Sequence, residues 1–125
     1  MISFANKLSY EWDNLNEIGY KKGLLHNDLY SRNIFICSDF EGISGIIDFS
    51  DMTFGDVNID FMFMYFENPE FAMEIILRYQ LLSGEKLDIP KIRLYAKTFA
   101  LNEYFWEDIS NKGIAEKWIS GEYDK

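Results

Sequence analysis

The feature that most constrains this 125-residue chain is a polar segment, residues 26–33, which reads His-Asn-Asp-Leu-Tyr-Ser-Arg-Asn. Two short apolar segments follow it, residues 34–37 and 43–49, and both are rich in β-branched and aromatic residues. The residues between them, 38–42, have the composition of a turn. We therefore predict a polar loop followed by a β-hairpin, which brings Asp48 back beside the end of the loop.

Apolar residues at helical spacing predict helices on both sides of this hairpin. The first helix is expected from about residue 4 to residue 22. Residues 50–57 are interpreted as a loop, and a helix is expected to begin near Asn58. The apolar side of the first helix is formed by Leu8, Trp12, Leu15 and Ile18.

The next helix has clear signals at both ends. Asn68 suits the N-cap, Pro69 suits the first helical position and Gly84 suits the C-terminal end. Its predicted buried stripe consists of Phe71, Ile75, Tyr79 and Leu82.

Two further helices are expected, over residues 89–110 and residues 114–119, and Trp118 should pack the last one against the rest. No repeat or linker divides the chain. The prediction is therefore a single domain over residues 1–125, of the α+β class but mainly α, with helices around a small β-hairpin.

The polar segment matches the pattern H-x-D-L-x-x-x-N, which resembles the catalytic loop of the protein-kinase-like fold. A strand, a turn, a second strand and Ile-Asp-Phe follow it, so Asp48 stands where kinases carry a metal-binding aspartate. Phosphoryl transfer needs in-line positioning and cations that neutralise the nucleotide phosphates. Asn33 and Asp48 offer the oxygen ligands that Mg²⁺ prefers, and Asp28 can accept the proton of an attacking hydroxyl.

The stretch from residue 25 to about residue 62 resembles the aminoglycoside phosphotransferases. The resemblance lies in the His-Asn-Asp form of the loop, in residues 45–49, and in Gly55-Asp56 with Asp60 four residues further on. Ser50 departs from the glycine that many relatives have. The resemblance implies the carboxyl-terminal lobe of a kinase-like phosphotransferase that uses Mg²⁺ and takes its phosphoryl group from ATP or GTP.

The same resemblance implies a role for each motif residue. Asp28 would be the catalytic base, and Asn33 and Asp48 would bind Mg²⁺. His26 and Asp60 would support the backbone of the catalytic loop.

Members of this family use acidic side chains to hold the amino groups of a sugar substrate, because carboxylates bind ammonium groups strongly and selectively. The substrate-binding candidates in this chain are Asp51, Asp56, Glu67, Glu70, Glu103 and Glu107. For the acids on helices, a solvated helix surface is the simpler explanation.

The net charge of −9 sets expectations for partners. It disfavours nucleic acid and anionic membrane surfaces, which need clustered Lys and Arg, and it favours a small cationic substrate. The single cysteine, Cys37, and the absence of a signal-peptide pattern predict a cytoplasmic location.

No glycine-rich strand-turn-strand and no V-A-I-K-like lysine precede His26. We therefore expect a fragment of a longer phosphotransferase, a truncated frame, or a lobe completed by another chain. The chain alone should have weak or no transfer activity, and its uncovered apolar surface favours self-association.

Three alternatives remain open from sequence. The acceptor is an aminoglycoside or another alcohol, such as a macrolide, choline, homoserine or a different sugar. The chain is a non-catalytic binding domain derived from such an enzyme. Or it is an unrelated helical domain with a chance match, which predicts no effect of metal or nucleotide.

Overall fold

The computed structural model describes residues 1–16, 19–106 and 110–125. Within these residues, helices surround two small β-sheets, which confirms an α+β fold that is mainly α. In chain order the elements are α1 (Ile2–Asp13), β1 (Lys22–Leu25), β2 (Ile34–Ile36), β3 (Ile43–Ile46), β4 (Thr53–Asp56), α2 (Asn58–Glu67), α3 (Pro69–Ser83), α4 (Ile89–Phe105) and α5 (Lys112–Ile119). Short 3₁₀ turns span Ser31–Asn33 and Glu122–Asp124. No helix in these ranges is long and apolar enough to cross a bilayer.

The predicted hairpin is confirmed as the antiparallel pair β2–β3, in which Ile34 lies opposite Ile46. A second antiparallel pair, β1–β4, was not predicted. The helix prediction through residue 22 and the loop prediction over residues 53–56 are both wrong there. Neither strand has an alternating pattern strong enough to identify it from local sequence. Each strand is instead defined by its pairing with a segment about thirty residues away.

Gly23 is a position in β1 where the fold requires a glycine. A Cβ atom there would lie 2.9 Å from Cγ1 of Val57, which is the residue just after β4. The backbone N–H of Val57 also donates to the carbonyl of Lys21 at 3.2 Å. The start of β1 and the end of β4 therefore approach more closely than any larger residue would allow.

The main core forms where α2 packs against α4 and α4 against α5. Phe66 from α2 and Ile92 from α4 are fully buried, and Ala96 and Ala100 let the helices come close. Trp118 of α5 packs back into this core as predicted, and its indole N–H donates to the carbonyl of Phe66 at 2.9 Å. Burial of one such aromatic side chain contributes about 3 kcal/mol.

Helix α3 has the predicted ends but not the predicted buried face. The side chain of Asn68 accepts a hydrogen bond from the N–H of Phe71, and Gly84 adopts the left-handed conformation. The residues that α3 buries are Ala72 and Ile76, one position further along than the predicted stripe. The small Ala72 allows a close approach to α2, and the larger residues of the stripe are turned outward. Phe71, Tyr79 and Leu82 are exposed, and Ile75 is half-buried.

Helices α1 and α4 are both shorter than predicted. Helix α1 ends at Asp13, and α4 ends at Phe105 with Trp106 in extended conformation. The predicted position of Ile18 on the apolar side of α1 lies outside the described residues. The buried ammonium group of Lys97 in α4 pairs with Glu11 of α1 at 2.8 Å, which ties the two helices together.

Candidate active site

The polar segment of residues 26–33 connects β1 to the 3₁₀ turn before β2. Its backbone passes through a left-handed conformation at Asn27, where φ is 64°. The carboxylate of Asp60, in the first turn of α2, accepts hydrogen bonds from the N–H groups of His26 at 3.0 Å and Asn27 at 2.8 Å. An ionised acceptor makes such bonds stronger than a neutral one, so Asp60 fixes this turn of the loop.

His26 connects the loop to the segment that carries Asp48. Its Nε2 lies 2.8 Å from the carbonyl oxygen of Ile47, and its Nδ1 lies 3.2 Å from the N–H of Asp28. A carbonyl only accepts and an amide N–H only donates, so the ring carries its proton on Nε2. The ring also makes an edge contact with Phe49, with centroids 4.6 Å apart. His26 thereby orients the backbone and leaves no nitrogen directed at a substrate.

Asp28 and Asn33 are in direct contact. The side-chain nitrogen of Asn33 donates to the backbone carbonyl of Asp28 at 2.7 Å and to its carboxylate Oδ2 at 3.1 Å. Asn33 is almost fully buried. Because its Nδ2 faces Asp28, its side-chain oxygen is directed away and is the atom of this group suited to a cation.

The hairpin brings Asp48 to the same place. The N–H of Ile47 donates to the carbonyl of Asn33 at 3.0 Å. Asp48 is the next residue after Ile47, so its backbone lies close to Asn33. Asp48 is exposed and adopts a left-handed φ of 63°. The hydroxyl of Ser50 donates to its Oδ1 at 2.8 Å, which gives a specific function to the residue that departs from glycine.

The donor set fits Mg²⁺, which prefers hard oxygen ligands and usually takes one or two carboxylates with phosphates and waters. Here it comprises one exposed carboxylate and one amide oxygen. Within the described part of the chain, no group of three or more His, Cys, Asp or Glu side chains has the arrangement of a self-sufficient metal site. A Mg²⁺ ion held by this pair would need phosphate oxygens or waters to complete its coordination.

A pocket of about 310 Å³ opens beside the loop, and we call it the Asp28 pocket. Asp28, Tyr30 and Arg32 form one wall, and residues from the end of α4 form the other. The complete lining is Asn27, Asp28, Tyr30, Arg32, Phe63, Phe99, Glu103, Trp106 and Asn111. Trp106 is two-thirds exposed and lines this pocket.

Glu103 is the substrate-binding candidate that the fold brings to Asp28. It is buried at the end of α4, and its Oε2 accepts a hydrogen bond from the side chain of Asn111 at 2.7 Å. Burial raises the pKa of the neighbouring Tyr30 hydroxyl, and the negative charge of Glu103 raises it further. Tyr30 therefore remains a neutral phenol at any physiological pH, available to the pocket as a polar group.

Arg32 is a pocket residue that sequence reasoning did not identify. Its Nη2 lies 3.6 Å from Oδ1 of Asp28, and its guanidinium lies 4.1 Å from the ring centroid of Tyr30. The two oxygens of Asp28 therefore face different groups, an amide and a guanidinium. The spacing of four residues between Asp28 and Arg32 is the signal that was available in the sequence.

The other predicted substrate acids lie elsewhere. Asp56 is buried and pairs with Lys91 at 3.0 Å, and it also accepts hydrogen bonds from Asn58 and Tyr95. Glu67 accepts from the N–H and hydroxyl of Ser31 at 2.9 and 2.8 Å. Both carboxylates thus have internal partners. The remaining candidates are Asp51 and Glu70, which are exposed and do not line the Asp28 pocket, and Glu107, which lies outside the described residues.

Comparison with known proteins identifies the family of the chain. The sequence profile of the phosphotransferase enzyme family matches residues 4–106, which include the loop, the hairpin and all of α4. No curated protein matches the chain. The chain belongs to the phosphotransferase enzyme family.

Proposed function

We propose that this chain is the carboxyl-terminal, catalytic-loop lobe of a kinase-like phosphotransferase. In that role it contributes to moving the γ-phosphoryl group of ATP or GTP to a hydroxyl of a small molecule. The observation that carries the proposal is the direct contact between Asp28 and Asn33, together with the backbone hydrogen bond from Ile47 to Asn33 that brings the neighbouring Asp48 to this end of the hairpin. One of these three residues can accept a proton, and the other two offer oxygen atoms to a cation.

Each of these three residues has a separate task in this proposal. Asp28 orients the acceptor hydroxyl and takes its proton as the oxygen attacks phosphorus. Asn33 and Asp48 provide the side-chain oxygens for Mg²⁺, which, when bound with the nucleotide, neutralises the charge of its phosphates. Arg32 places a positive charge at the same pocket, where it balances Asp28 before the acceptor enters.

An aminoglycoside is the acceptor we favour. Glu103 is an acid in the Asp28 pocket, and the exposed face of Trp106 offers a flat surface beside it. Carboxylates that face ammonium groups in a partly desolvated site give both affinity and selection, and an aromatic ring adds a cation–π contribution. The net charge of −9 would also attract a polycationic sugar.

A second acceptor class is favoured by one specific observation, the presence of Arg32 in the same pocket as Glu103. A site with one cation and one anion suits a zwitterionic alcohol, and a volume of about 310 Å³ suits a molecule of homoserine size. An aminoglycoside fits only if its other rings extend past Trp106 into solvent. The two classes therefore differ in how strongly they depend on Arg32.

The test is a calorimetric titration with an aminoglycoside panel and with homoserine, with and without Mg²⁺ and nucleotide. It is repeated on Asp28→Ala, Glu103→Gln, Arg32→Met and, as a control, Glu116→Gln, whose side chain is exposed on α5. Aminoglycoside binding should weaken with salt, weaken about five- to tenfold in Glu103→Gln and remain unchanged in Glu116→Gln.

If homoserine binds, no aminoglycoside binds, and homoserine binding is lost in Arg32→Met, then the acceptor is the zwitterionic alcohol and not an aminoglycoside. If a folded sample binds no alcohol in either class, the proposed function is wrong.

A further inference from the structure

A second concave site lies on the opposite side of the catalytic loop. It is a groove of about 580 Å³ between the β2–β3 hairpin and helices α2 and α3, and we call it the hairpin groove. Its walls include Ile34, Ile36, Ile43 and Ile46 from the hairpin, and Phe71 and Ile75 from α3. Phe71 and Ile75 belong to the α3 stripe that was predicted to be buried. Because they are not buried, they can form the wall of the groove that faces the hairpin.

Alternate residues of the catalytic loop face the two sites. Asp28, Tyr30 and Arg32 line the Asp28 pocket, whereas Leu29 and Ser31 line the hairpin groove. The loop therefore separates the two sites, and a single backbone segment lies between them. A molecule bound in the groove would contact the residues that alternate with the proposed catalytic ones.

The lining of the groove is unusually apolar for a surface accessible to water. Ile36, Ile43 and Phe71 are each more than half exposed. Leaving apolar area in water costs about 25 cal/mol per Å², and contiguous patches of this kind commonly mark binding sites. The volume falls within the range of about 300 to 1,000 Å³ that is typical of small-molecule sites.

The polar groups of the groove favour a cation. The carboxylate of Glu67 lines the groove and accepts two hydrogen bonds from Ser31, which also lines it. Glu70, in the first turn of α3, does not line the groove but is exposed, and it adds negative charge to this part of the surface. An apolar body with a cationic group at one end matches this distribution, whereas an anionic one is repelled.

A second copy of the chain suits the groove less well. A symmetric pair needs a surface that is complementary to itself, and two concave surfaces placed face to face leave a void.

We propose that the hairpin groove is a binding site for a small amphipathic amine, with its apolar body between the hairpin and α3 and its ammonium group at Glu67. The ammonium group competes with Ser31 for that carboxylate. Because Ser31 begins the 3₁₀ turn that carries Asn33, occupation of the groove changes the position of the Asn33 side chain. The proposal does not depend on phosphoryl transfer, and its test uses binding alone.

The probe is 1-naphthylmethylammonium, compared with the neutral 1-naphthylmethanol and the anionic 1-naphthylacetate. Each compound is titrated into the ¹⁵N-labelled chain and followed by amide chemical shifts. The amine should shift the amides of Ser31, Glu67 and Phe71 together with the side-chain amide of Asn33. It should bind at least fivefold more tightly than the alcohol, and the acid should bind most weakly.

Variants locate the site. Ile43→Asn and Phe71→Ser each replace an exposed groove residue and should weaken binding about tenfold. Leu81→Asn replaces an apolar residue of α3 that is still more exposed but lies outside the groove, and it should have no effect. Glu67→Gln, which keeps an acceptor for Ser31, should reduce the preference for the amine over the alcohol about fivefold.

Three results would overturn the proposal. Equal affinity for the amine and the acid would show that Glu67 does not bind the ammonium group. Chemical-shift changes that map outside the groove, or that persist in both Ile43→Asn and Phe71→Ser, would show that the compound binds elsewhere. A dimer in sedimentation experiments that Ile43→Asn dissociates would identify a second copy as the occupant instead.

Discussion

At the scale of single residues, Asp60 shows how one side chain can hold a catalytic loop. Both oxygens of its carboxylate accept backbone N–H groups, from His26 and Asn27, and Asn27 is held at positive φ. A residue other than glycine in that conformation costs about 1 kcal/mol or more. Asp60 offsets that cost through two charge-assisted hydrogen bonds.

Asp60→Asn should therefore lower the free energy of unfolding by about 1.5 to 3 kcal/mol, because an amide has only one oxygen for two donors and no charge. The measurement is equilibrium urea unfolding at pH 7. Asp51→Asn is the control, since Asp51 is exposed and its link to the loop is through its backbone carbonyl. An equal loss in both variants would contradict this role for Asp60.

The placement of residues could be predicted from the sequence only where local spacing determines it. The approach of Asp28, Asn33 and the segment that carries Asp48 follows from a motif and a hairpin, both of which are local patterns. The contact between Glu67 and Ser31 joins residues thirty-six positions apart, and no spacing encodes it. The internal roles of Glu67 and Asp56 were therefore not visible among the six acids proposed for substrate binding.

At the scale of elements, the ends of helices were predictable because capping is a local interaction. Asn68, Pro69 and Gly84 determine α3 without help from the rest of the fold. The buried face was not predictable to the same degree, since a rotation of one residue moves a helical stripe by about 100°. Strands β1 and β4 depend on pairing with each other, and local sequence did not reveal them.

The C-terminal end of α3 gives a matched pair of substitutions. Gly84 has φ of 73° and open space around it, so Gly84→Ala should destabilise the protein by about 1 kcal/mol through backbone strain alone. Gly113 lies within α5, also has open space and does not have positive φ, so Gly113→Ala should stabilise by about 0.4 to 1 kcal/mol. Thermal unfolding of both variants checks the prediction, and a shift of the same sign in both would contradict it.

The ion pair between Asp56 and Lys91 joins the end of β4 to the start of α4. Burial alone would raise the pKa of Asp56. The hydrogen bonds from Asn58, Lys91 and Tyr95 outweigh that effect and hold the pKa below its usual value. A lowered pKa in the folded state means that Asp56 stabilises the protein above about pH 4 and loses this contribution as the pH falls through the folded-state pKa.

Asp56→Asn should therefore cost about 3 kcal/mol at pH 7, because the buried Lys91 loses its ion pair with Asp56. The difference from the unchanged protein should shrink as the pH falls below about 4 and through the lowered folded-state pKa, where Asp56 itself becomes neutral. Urea unfolding between pH 2.5 and pH 7 measures both effects, with the exposed Asp13→Asn as control. A difference that stays constant across this range would contradict the assignment.

At the scale of the whole molecule, the sequence was sufficient for the class of fold and for the family. The loop motif and the hairpin lie within 24 residues, from His26 to Phe49, and the family match extends over residues 4–106. The two concave sites could not have been predicted, because each is assembled from the loop and from helices distant in sequence. Their separation by the loop is a property of the three-dimensional arrangement alone.

We propose that Asn33 and Asp48 would hold Mg²⁺ together with the phosphates of a bound nucleotide. The most direct measurement replaces Mg²⁺ by paramagnetic Mn²⁺ and records the broadening of NMR signals of the ¹⁵N-labelled chain, with and without ATP or GTP. Broadening should be centred on the side-chain amide of Asn33 and the backbone amide of Asp48, stronger with nucleotide and lost in Asp48→Asn. Broadening that is centred elsewhere, or that is unchanged in Asp48→Asn, would contradict it.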